Sequence, residues 1–166
     1  MRPDQRRFLV RFGAALVVLY LLIVIPPSNT HVVVPFTEQI VVVSAALLRA
    51  LGEPTVTAGT VIRSGSFAVD VKNGCNGLEA AVILSAAVLA FPATLRQRLA
   101  GLAAGFAVIQ LLNLVRVVSL FWLGVHRPAV FELFHNAIWQ TALILVAVSL
   151  FVYWSRKFAR APARRS

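Results

Sequence analysis

Residues 99–122 read LAGLAAGFAVIQLLNLVRVVSLFW, an apolar run that contains one charged side chain, Arg116. A helix of this length crosses a hydrocarbon core of ~30 Å, because each helical residue adds ~1.5 Å along the axis. Two neighbouring runs have the same character, 78–95 (LEAAVILSAAVLAFPATL) and 137–154 (AIWQTALILVAVSLFVYW). These stretches predict an integral membrane protein built from spanning helices.

A further apolar run, residues 8–25 (FLVRFGAALVVLYLLIVI), follows a basic amino-terminal segment. It is either a retained spanning helix or a cleavable signal peptide. The run from Phe12 onward is long for a signal peptide, and the following PPSNT offers no small-x-small cleavage site, which favours a retained helix. We therefore predict four spans, at about 8–25, 78–95, 99–122 and 137–154.

The composition is consistent with one membrane domain over residues 1–166. Hydrophobic residues make up 59% of the chain and charged residues only 13%, which is too apolar for an ordinary soluble domain. The formal net charge of +10 does not indicate nucleic-acid binding, because most positive charges flank apolar runs and form no basic and aromatic surface. We therefore expect the chain to have the lipid bilayer as a partner and not nucleic acid.

The positions of the positive charges also predict which side of the membrane each loop and terminus occupies. Eleven of the 16 Lys and Arg residues flank predicted spans: Arg2, Arg6, Arg7, Arg11, Arg96, Arg98, Arg156, Lys157, Arg160, Arg164 and Arg165. With four spans all eleven lie on one side of the membrane, which the positive-inside rule identifies as cytoplasmic. Both termini, including the basic tail 155–166, are therefore predicted to be cytoplasmic.

Residues 32–51 are ambiguous, because a proline and several polar side chains interrupt an apolar run. A fifth span would divide the positive clusters between the two sides of the membrane. We therefore predict an interfacial helix at about 36–51 on the outer side. Residues 55–73 then alternate between apolar and polar side chains and contain turn signals at Gly59 and Gly65, which predicts an outer β-meander.

The predicted fold class follows from these segments. It is an all-α integral membrane bundle of about four transmembrane helices, with an interfacial helix and a small extracytoplasmic β-element.

Cys75 is the only cysteine, so the chain has no internal disulfide and no Cys-based zinc or iron–sulfur site; no metal or cofactor is expected. A lone cysteine in an apolar protein is usually an inert small hydrophobe. Its setting, NGCNGLE before a predicted helix, favours a reactive thiol instead, because the helix dipole stabilises a thiolate. Asn76 is predicted to cap this helix, with Glu79 completing a capping-box-like arrangement.

Arg116 places a charge inside a predicted span, where it costs ~2.5 kcal/mol or more and normally has a partner or a function. Snorkelling to the outer interface is one explanation, and a structural ion pair with Glu79 is a second. The third is donation to the oxyanion of a tetrahedral intermediate. Asn113 lies one turn earlier on the same helix face and is a supporting candidate.

His135, in FHNAIWQ, precedes the last predicted span and falls at nearly the same membrane depth as Cys75 and Arg116. Alone it would be an ordinary residue at a helix start. Beside a thiol it becomes a general base and acid, which holds the thiol proton and then protonates a leaving amine. We predict a catalytic set of Cys75, Arg116 and His135 near the outer face.

The order NGCNGLEA, NLVRV and FHNAIWQ resembles the exosortase and archaeosortase family of membrane cysteine transpeptidases, over roughly residues 73–140. The compact length is similar to the subgroup called exosortase H. The resemblance implies Cys75 as nucleophile, Arg116 as oxyanion or substrate-binding residue, and His135 as acid and base. Many family members are longer and have more spans, so this chain would be a minimal core.

The resemblance also implies a substrate class and a location. The substrates would be secreted, membrane-anchored proteins whose C-terminal signal consists of a short motif, a transmembrane helix and a basic tail, and cleavage would accompany transfer to an acceptor. The location would be a bacterial inner membrane, with the site facing the periplasm. Two other functions stay open: a non-enzymatic subunit or small transporter with a structural Arg116–Glu79 pair, and a membrane protease that uses water as acceptor.

Overall fold

The computed structural model describes residues 2–158 of the chain, so the end of the predicted basic tail, from residue 159 onward, lies outside the described residues. Five helices and three strands follow one another within this range. The helices are α1 (Pro3–Val24), α2 (Pro26–Ala50), α3 (Leu78–Ala90), α4 (Leu95–His126) and α5 (Pro128–Phe158). The strands are β1 (Val56–Ala58), β2 (Val61–Ser64) and β3 (Phe67–Asp70), which lie between α2 and α3.

Four helices, α1, α2, α4 and α5, are long and apolar enough to cross a membrane. Together with the small sheet they confirm the predicted fold class, a helical membrane bundle with a small β-element. The four helices of spanning length are not the four that the sequence predicted, because α2 is among them and α3 is not.

The helix predicted over residues 78–95 is shorter in the structure. α3 contains 13 residues and ends at Ala90, because Pro92 disfavours a helical conformation of the residue before it. Phe91 accordingly has an extended backbone, with φ −75° and ψ 139°. At ~1.5 Å per residue α3 is ~20 Å long, which is short of a ~30 Å hydrocarbon core. It packs against α1, α4 and α5, so the other helices cover much of its apolar surface.

The segment predicted as an interfacial helix at 36–51 is the second part of a longer helix. α2 begins at Pro26, passes through a π-helical turn at Asn29–Val33 and continues as an α-helix to Ala50. Pro35 stands where the π-helical turn gives way to the α-helix, so it does not end the helix. By its length and composition α2 is suited to cross a membrane.

The three strands form an antiparallel meander in the order β1-β2-β3. Tight turns with left-handed glycines join them, Gly59 (φ 57°) after β1 and Gly65 (φ 55°) after β2. The sheet packs on α2 and α4 through Ile62, which is fully buried, and through the ring of Phe67. β1 and β3 are its two edges.

Two hydrophobic clusters hold the fold together, and α4 contributes to both. The first joins α2, the sheet and the second half of α4, and it contains Ile40, Val41, Ala45, Leu48, Ile62, Val71, Val117 and Phe121. The second joins α3, α4 and α5, and it contains Ala80, Ala81, Leu84, Val88, Ile109, Leu143, Ala147 and Trp154. The part of α4 between Ile109 and Val117 connects the clusters and carries Asn113 and Arg116.

Candidate active site

The segment between β3 and α3 positions Cys75. Gly74 and Gly77 flank it with left-handed backbones (φ 89° and 75°), which let the chain turn sharply twice within four residues. The Asn76 side chain fixes the turn, because its Oδ1 accepts from the Leu78 N–H at 3.1 Å and its Nδ2 donates to Thr37 Oγ1 at 3.1 Å. Cys75 is thereby held half-buried, directly before α3.

The predicted cap of this helix differs in detail. Gly77, one residue later than predicted, is the N-cap residue of α3, although Asn76 still accepts a hydrogen bond from the first turn. Within the part of the chain that the structure describes, Glu79 makes no side-chain hydrogen bond, so it does not complete a capping box. Its carboxylate lies beside Gly74, about 3.7 Å from where a Cβ would stand.

Arg116 reaches the Cys75 segment from α4. Its side chain is 2% exposed, its Nη1 donates to the Gly74 carbonyl at 2.9 Å, and its Nη2 lies 3.7 Å from Cys75 Sγ. Among residues 2–158 no carboxylate is within ion-pair distance of Arg116, and the ion pairs present join Lys72 to Asp70 and His126 to Glu53. The guanidinium therefore contacts the cysteine segment and not Glu79.

His135 approaches Cys75 from α5. It lies in a π-helical turn, Phe134–Ile138, and its Nε2 is 3.1 Å from Cys75 Sγ. The imidazole stacks on the Phe131 ring with centroids 5.5 Å apart, which restricts its orientation. π-Helical turns inside α-helices occur frequently at functional sites.

The structure thus brings together the three residues that the sequence singled out. Cys75 is 41 residues from Arg116 and 60 from His135 along the chain, yet its sulfur contacts both side chains. Asn113 lies close by and is fully buried, and within the described part of the chain its amide has no hydrogen-bond partner.

Sequence reasoning missed two residues at this site. The side-chain amide of Gln110 is buried and has no hydrogen-bond partner among residues 2–158. Atoms of Gln110 and Asn113 lie about 3.0–3.1 Å from where a Cβ on Gly77 would stand. The sequence does contain a signal for Gln110. Polar residues recur every third position on this apolar helix, at Gln110, Asn113 and Arg116. Thr37, which holds Asn76, carried no such signal.

A cleft of about 390 Å³ opens at the sulfur. Its lining includes β3 and the segment after it, Leu120 of α4 and Phe131 of α5, together with Cys75, Arg116 and His135. A larger groove of about 550 Å³ runs between α2 and α4, but its lining from Leu47 to Leu123 has no titratable side chain. The chemistry of the molecule is therefore concentrated in the smaller cleft.

Burial raises the pKa of the Cys75 thiol, the positive charge of Arg116 opposes this by lowering that pKa, and the Glu79 carboxylate raises it further. A raised pKa favours the thiol over the thiolate, so a neighbouring base would assist its ionisation. His135 is positioned to act as such a base, since its Nε2 is within hydrogen-bond distance of the sulfur.

The residues present are suited to nucleophilic chemistry. Across residues 2–158 no group of three or more His, Cys, Asp or Glu side chains is arranged to hold a metal ion. A thiol, a neighbouring imidazole and a buried guanidinium together can form and resolve a covalent acyl intermediate.

Comparison with known proteins identifies the family. The family model described as transmembrane exosortase matches residues 5–155, which is most of the chain. Comparisons with curated proteins and with solved structures found no significant match. The match includes the three motifs on which the resemblance rests, it supports a membrane transpeptidase-type function in general, and it shows that this chain belongs to the transmembrane exosortase family.

Proposed function

We propose that this protein is a membrane cysteine transpeptidase. It cleaves the C-terminal sorting signals of secreted proteins and transfers the cleaved proteins to an acceptor. The observation that carries the proposal is the 3.1 Å contact between Cys75 Sγ and His135 Nε2, beside a buried guanidinium. A thiol that contacts an imidazole is the arrangement on which cysteine acyl transfer depends.

In the first step His135 takes the proton of the Cys75 thiol as the sulfur attacks the carbonyl carbon of the scissile peptide bond. An S–C bond forms, and the carbonyl π electrons move to the oxygen. Because burial raises the pKa of Cys75, the thiolate forms more readily when an adjacent base takes the proton.

Arg116 stabilises the oxyanion that results. Its Nη2 lies 3.7 Å from the sulfur, next to the carbon that the sulfur attacks, and its Nε is buried without a partner. The bond from Nη1 to the Gly74 carbonyl fixes the guanidinium plane, so the donors need little reorganisation as charge develops.

The tetrahedral intermediate collapses when its C–N bond breaks and His135 protonates the leaving amine. A thioester on Cys75 remains. An acceptor, deprotonated by His135, attacks this thioester and restores the thiol; an amine acceptor gives transpeptidation, and water gives hydrolysis. The proposed substrates are secreted proteins anchored by a motif, a transmembrane helix and a basic tail, and the basic residues beside the spanning helices support a site at the periplasmic face of a bacterial inner membrane.

The experiment uses a reporter, a secreted domain fused to such a sorting signal from the same genome, expressed with the full chain. The wild type is expected to shorten the reporter, and Cys75→Ala is expected to abolish this. Its membrane abundance should be unchanged, because Cys75 is only partly buried at the margin of the first hydrophobic cluster and Ala removes a single sulfur atom there. Treatment with hydroxylamine should release a reporter fragment bound to the wild-type enzyme as a thioester. Processing by Cys75→Ala at the wild-type rate would refute the covalent mechanism.

A further inference from the structure

β3 has one unpaired edge. β2 pairs with its other side, in a register that sets Val69 opposite Ile62 and Phe67 opposite Ser64. Among residues 2–158 no backbone group outside this pairing is hydrogen-bonded to residues 67–70. An edge of this kind presents unused N–H and C=O groups, which natural proteins usually cover or disrupt.

The register shows which backbone groups the edge presents. The Val71 N–H donates to the Thr60 carbonyl at 2.9 Å, so residue 71 and, by the alternation of antiparallel ladders, residues 69 and 67 direct their groups to β2. The N–H and C=O groups of Ala68 and Asp70 therefore point away from β2, toward the free edge.

This edge lines the cleft that contains the sulfur. Successive residues from Phe67 to Asn73 border the cavity, whereas a cavity against one face of a strand would meet only alternate residues. The cleft lies between this edge on one side and Phe131 and His135 of α5 on the other. A ligand in it therefore meets the unpaired backbone groups and Cys75 together.

We propose that the segment of the substrate that is cleaved binds as an extended strand on the free edge of β3, with its scissile carbonyl at Cys75. The inference rests on the function proposed above and adds the conformation in which the substrate is recognised. Backbone bonds to Ala68 and Asp70 hold the peptide main chain whatever its sequence, as in other cases of strand addition. Leu120 and Phe131 contact the opposite side of the peptide and favour apolar side chains there.

The charges near the edge are compatible with this mode of binding. The Asp70 carboxylate accepts from the Thr60 hydroxyl at 2.7 Å and pairs with Lys72 at 3.2 Å, so its charge is already satisfied by its own sheet. An extended peptide also presents its carbonyl carbon to a nucleophile, while a helical peptide has its carbonyls bonded within the helix. Close to the membrane, where water is scarce, the edge supplies the hydrogen bonds that an extended backbone needs.

The test removes one edge donor without disturbing the β2–β3 ladder. Ala68→Pro deletes an N–H that points to the cleft, and proline is tolerated at edge positions of this kind. Thr57→Pro is the matched control on β1: Thr57 is opposite Ile62, whose bonding groups face β3, so the N–H of Thr57 also points away from the sheet, but at the remote edge. Ala68→Pro should slow reporter processing about tenfold or more, the loss expected for one backbone bond together with a steric block, and Thr57→Pro should not.

A second measurement separates this inference from the proposed function. In the Cys75→Ala protein with the reporter bound, amide hydrogen exchange at Ala68 and Asp70 should slow, while that at Thr57 should not change. Wild-type processing together with unchanged processing by Ala68→Pro would overturn the edge inference and leave the transpeptidase intact. Processing by Cys75→Ala would refute the function, while protection of the Ala68 and Asp70 amides would still support strand addition; a bound reporter that gives no such protection overturns it.

Discussion

The first and second halves of α4 are built for different tasks. From Gly101 to Ile109 the buried residues are small or apolar and pack against Trp154 of α5 and Leu84 of α3. From Asn113 onward the same helix buries an amide and a guanidinium before it returns to Val117 and other apolar residues. One continuous helix thus combines a packing segment with a segment that carries chemical groups.

The two halves also differ in how many buried side-chain polar atoms lack a hydrogen-bond partner. Among residues 2–158, five of the seven buried side-chain polar atoms without a hydrogen-bond partner belong to the amides of Gln110 and Asn113 and to Arg116 Nε, although buried polar groups are normally hydrogen-bonded. These three residues stand in the part of α4 that faces the cysteine segment; the other two atoms are Ser44 Oγ in α2 and Arg98 Nε in the first turn of α4. The first half, which fixes α4 against α3 and α5, supplies the rigidity that keeps such groups in place without substrate.

The largest expected effect that distinguishes the two halves is at Arg116. Arg116→Lys keeps the charge but loses the planar fork that contacts both Gly74 and Cys75, so processing of the reporter should fall by roughly 10²-fold or more, as when an oxyanion donor is removed. The measurement is the processing rate divided by membrane abundance. A Lys variant that is fully active would show that the second half of α4 provides only charge.

Substituting the glycine that packs within the first half of α4 and the glycine that faces its second half should affect stability and the site differently. At Gly101 a Cβ would overlap the Trp154 indole, so Gly101→Ala should cost about 1–3 kcal/mol of stability by overpacking. At Gly77, which faces the second half, a Cβ would crowd Asn113 in a left-handed backbone, and the site should be distorted. We expect Gly101→Ala to lower the thermal midpoint in detergent and leave Cys75 alkylation unchanged, and Gly77→Ala to change the alkylation rate. Equal behaviour of both variants would remove the distinction between the halves.

The smallest expected effect is a shift in the pH dependence of Cys75 alkylation. Because burial raises the pKa of Cys75, the rate should rise with pH through a midpoint above the usual range for a cysteine. Arg116 lowers that pKa, so Arg116→Gln should move the midpoint to still higher pH, whereas Arg116→Lys should not. A membrane-impermeant thiol reagent applied to spheroplasts also tests the orientation; labelling only after lysis would reverse it.

The site was more accessible to sequence reasoning than the boundaries of the helices. An arginine in an apolar run normally has a partner or a function. The predicted depth of Cys75, Arg116 and His135, the helix-start setting of the thiol and the family resemblance of the three motifs together selected this set. Which atoms meet could not be predicted, because the bond from Arg116 to the Gly74 carbonyl depends on how the glycine segment turns. An ion pair with Glu79, one of the three explanations for Arg116, was compatible with depth, but the Glu79 side chain instead lines a groove beside α1.

The ends of the spanning helices were harder to predict, because hydropathy does not indicate where a helix stops. Pro92 ends α3 at Ala90, although the apolar run continues past it. Conversely, Pro35 and the polar residues from Asn29 to His31 do not stop α2, since a π-helical turn connects the start of the helix to the rest of it. Charge parity selected four spans, but it had no means to show that 32–51 belongs to a helix of spanning length.

The bond from Arg116 to the Gly74 carbonyl has a consequence for biogenesis. Gly74 precedes α4 in the chain, so its carbonyl is synthesised before the arginine that donates to it. α4 therefore brings the guanidinium to an acceptor that is already part of the chain, and the group of three side chains is complete only after α5 adds His135.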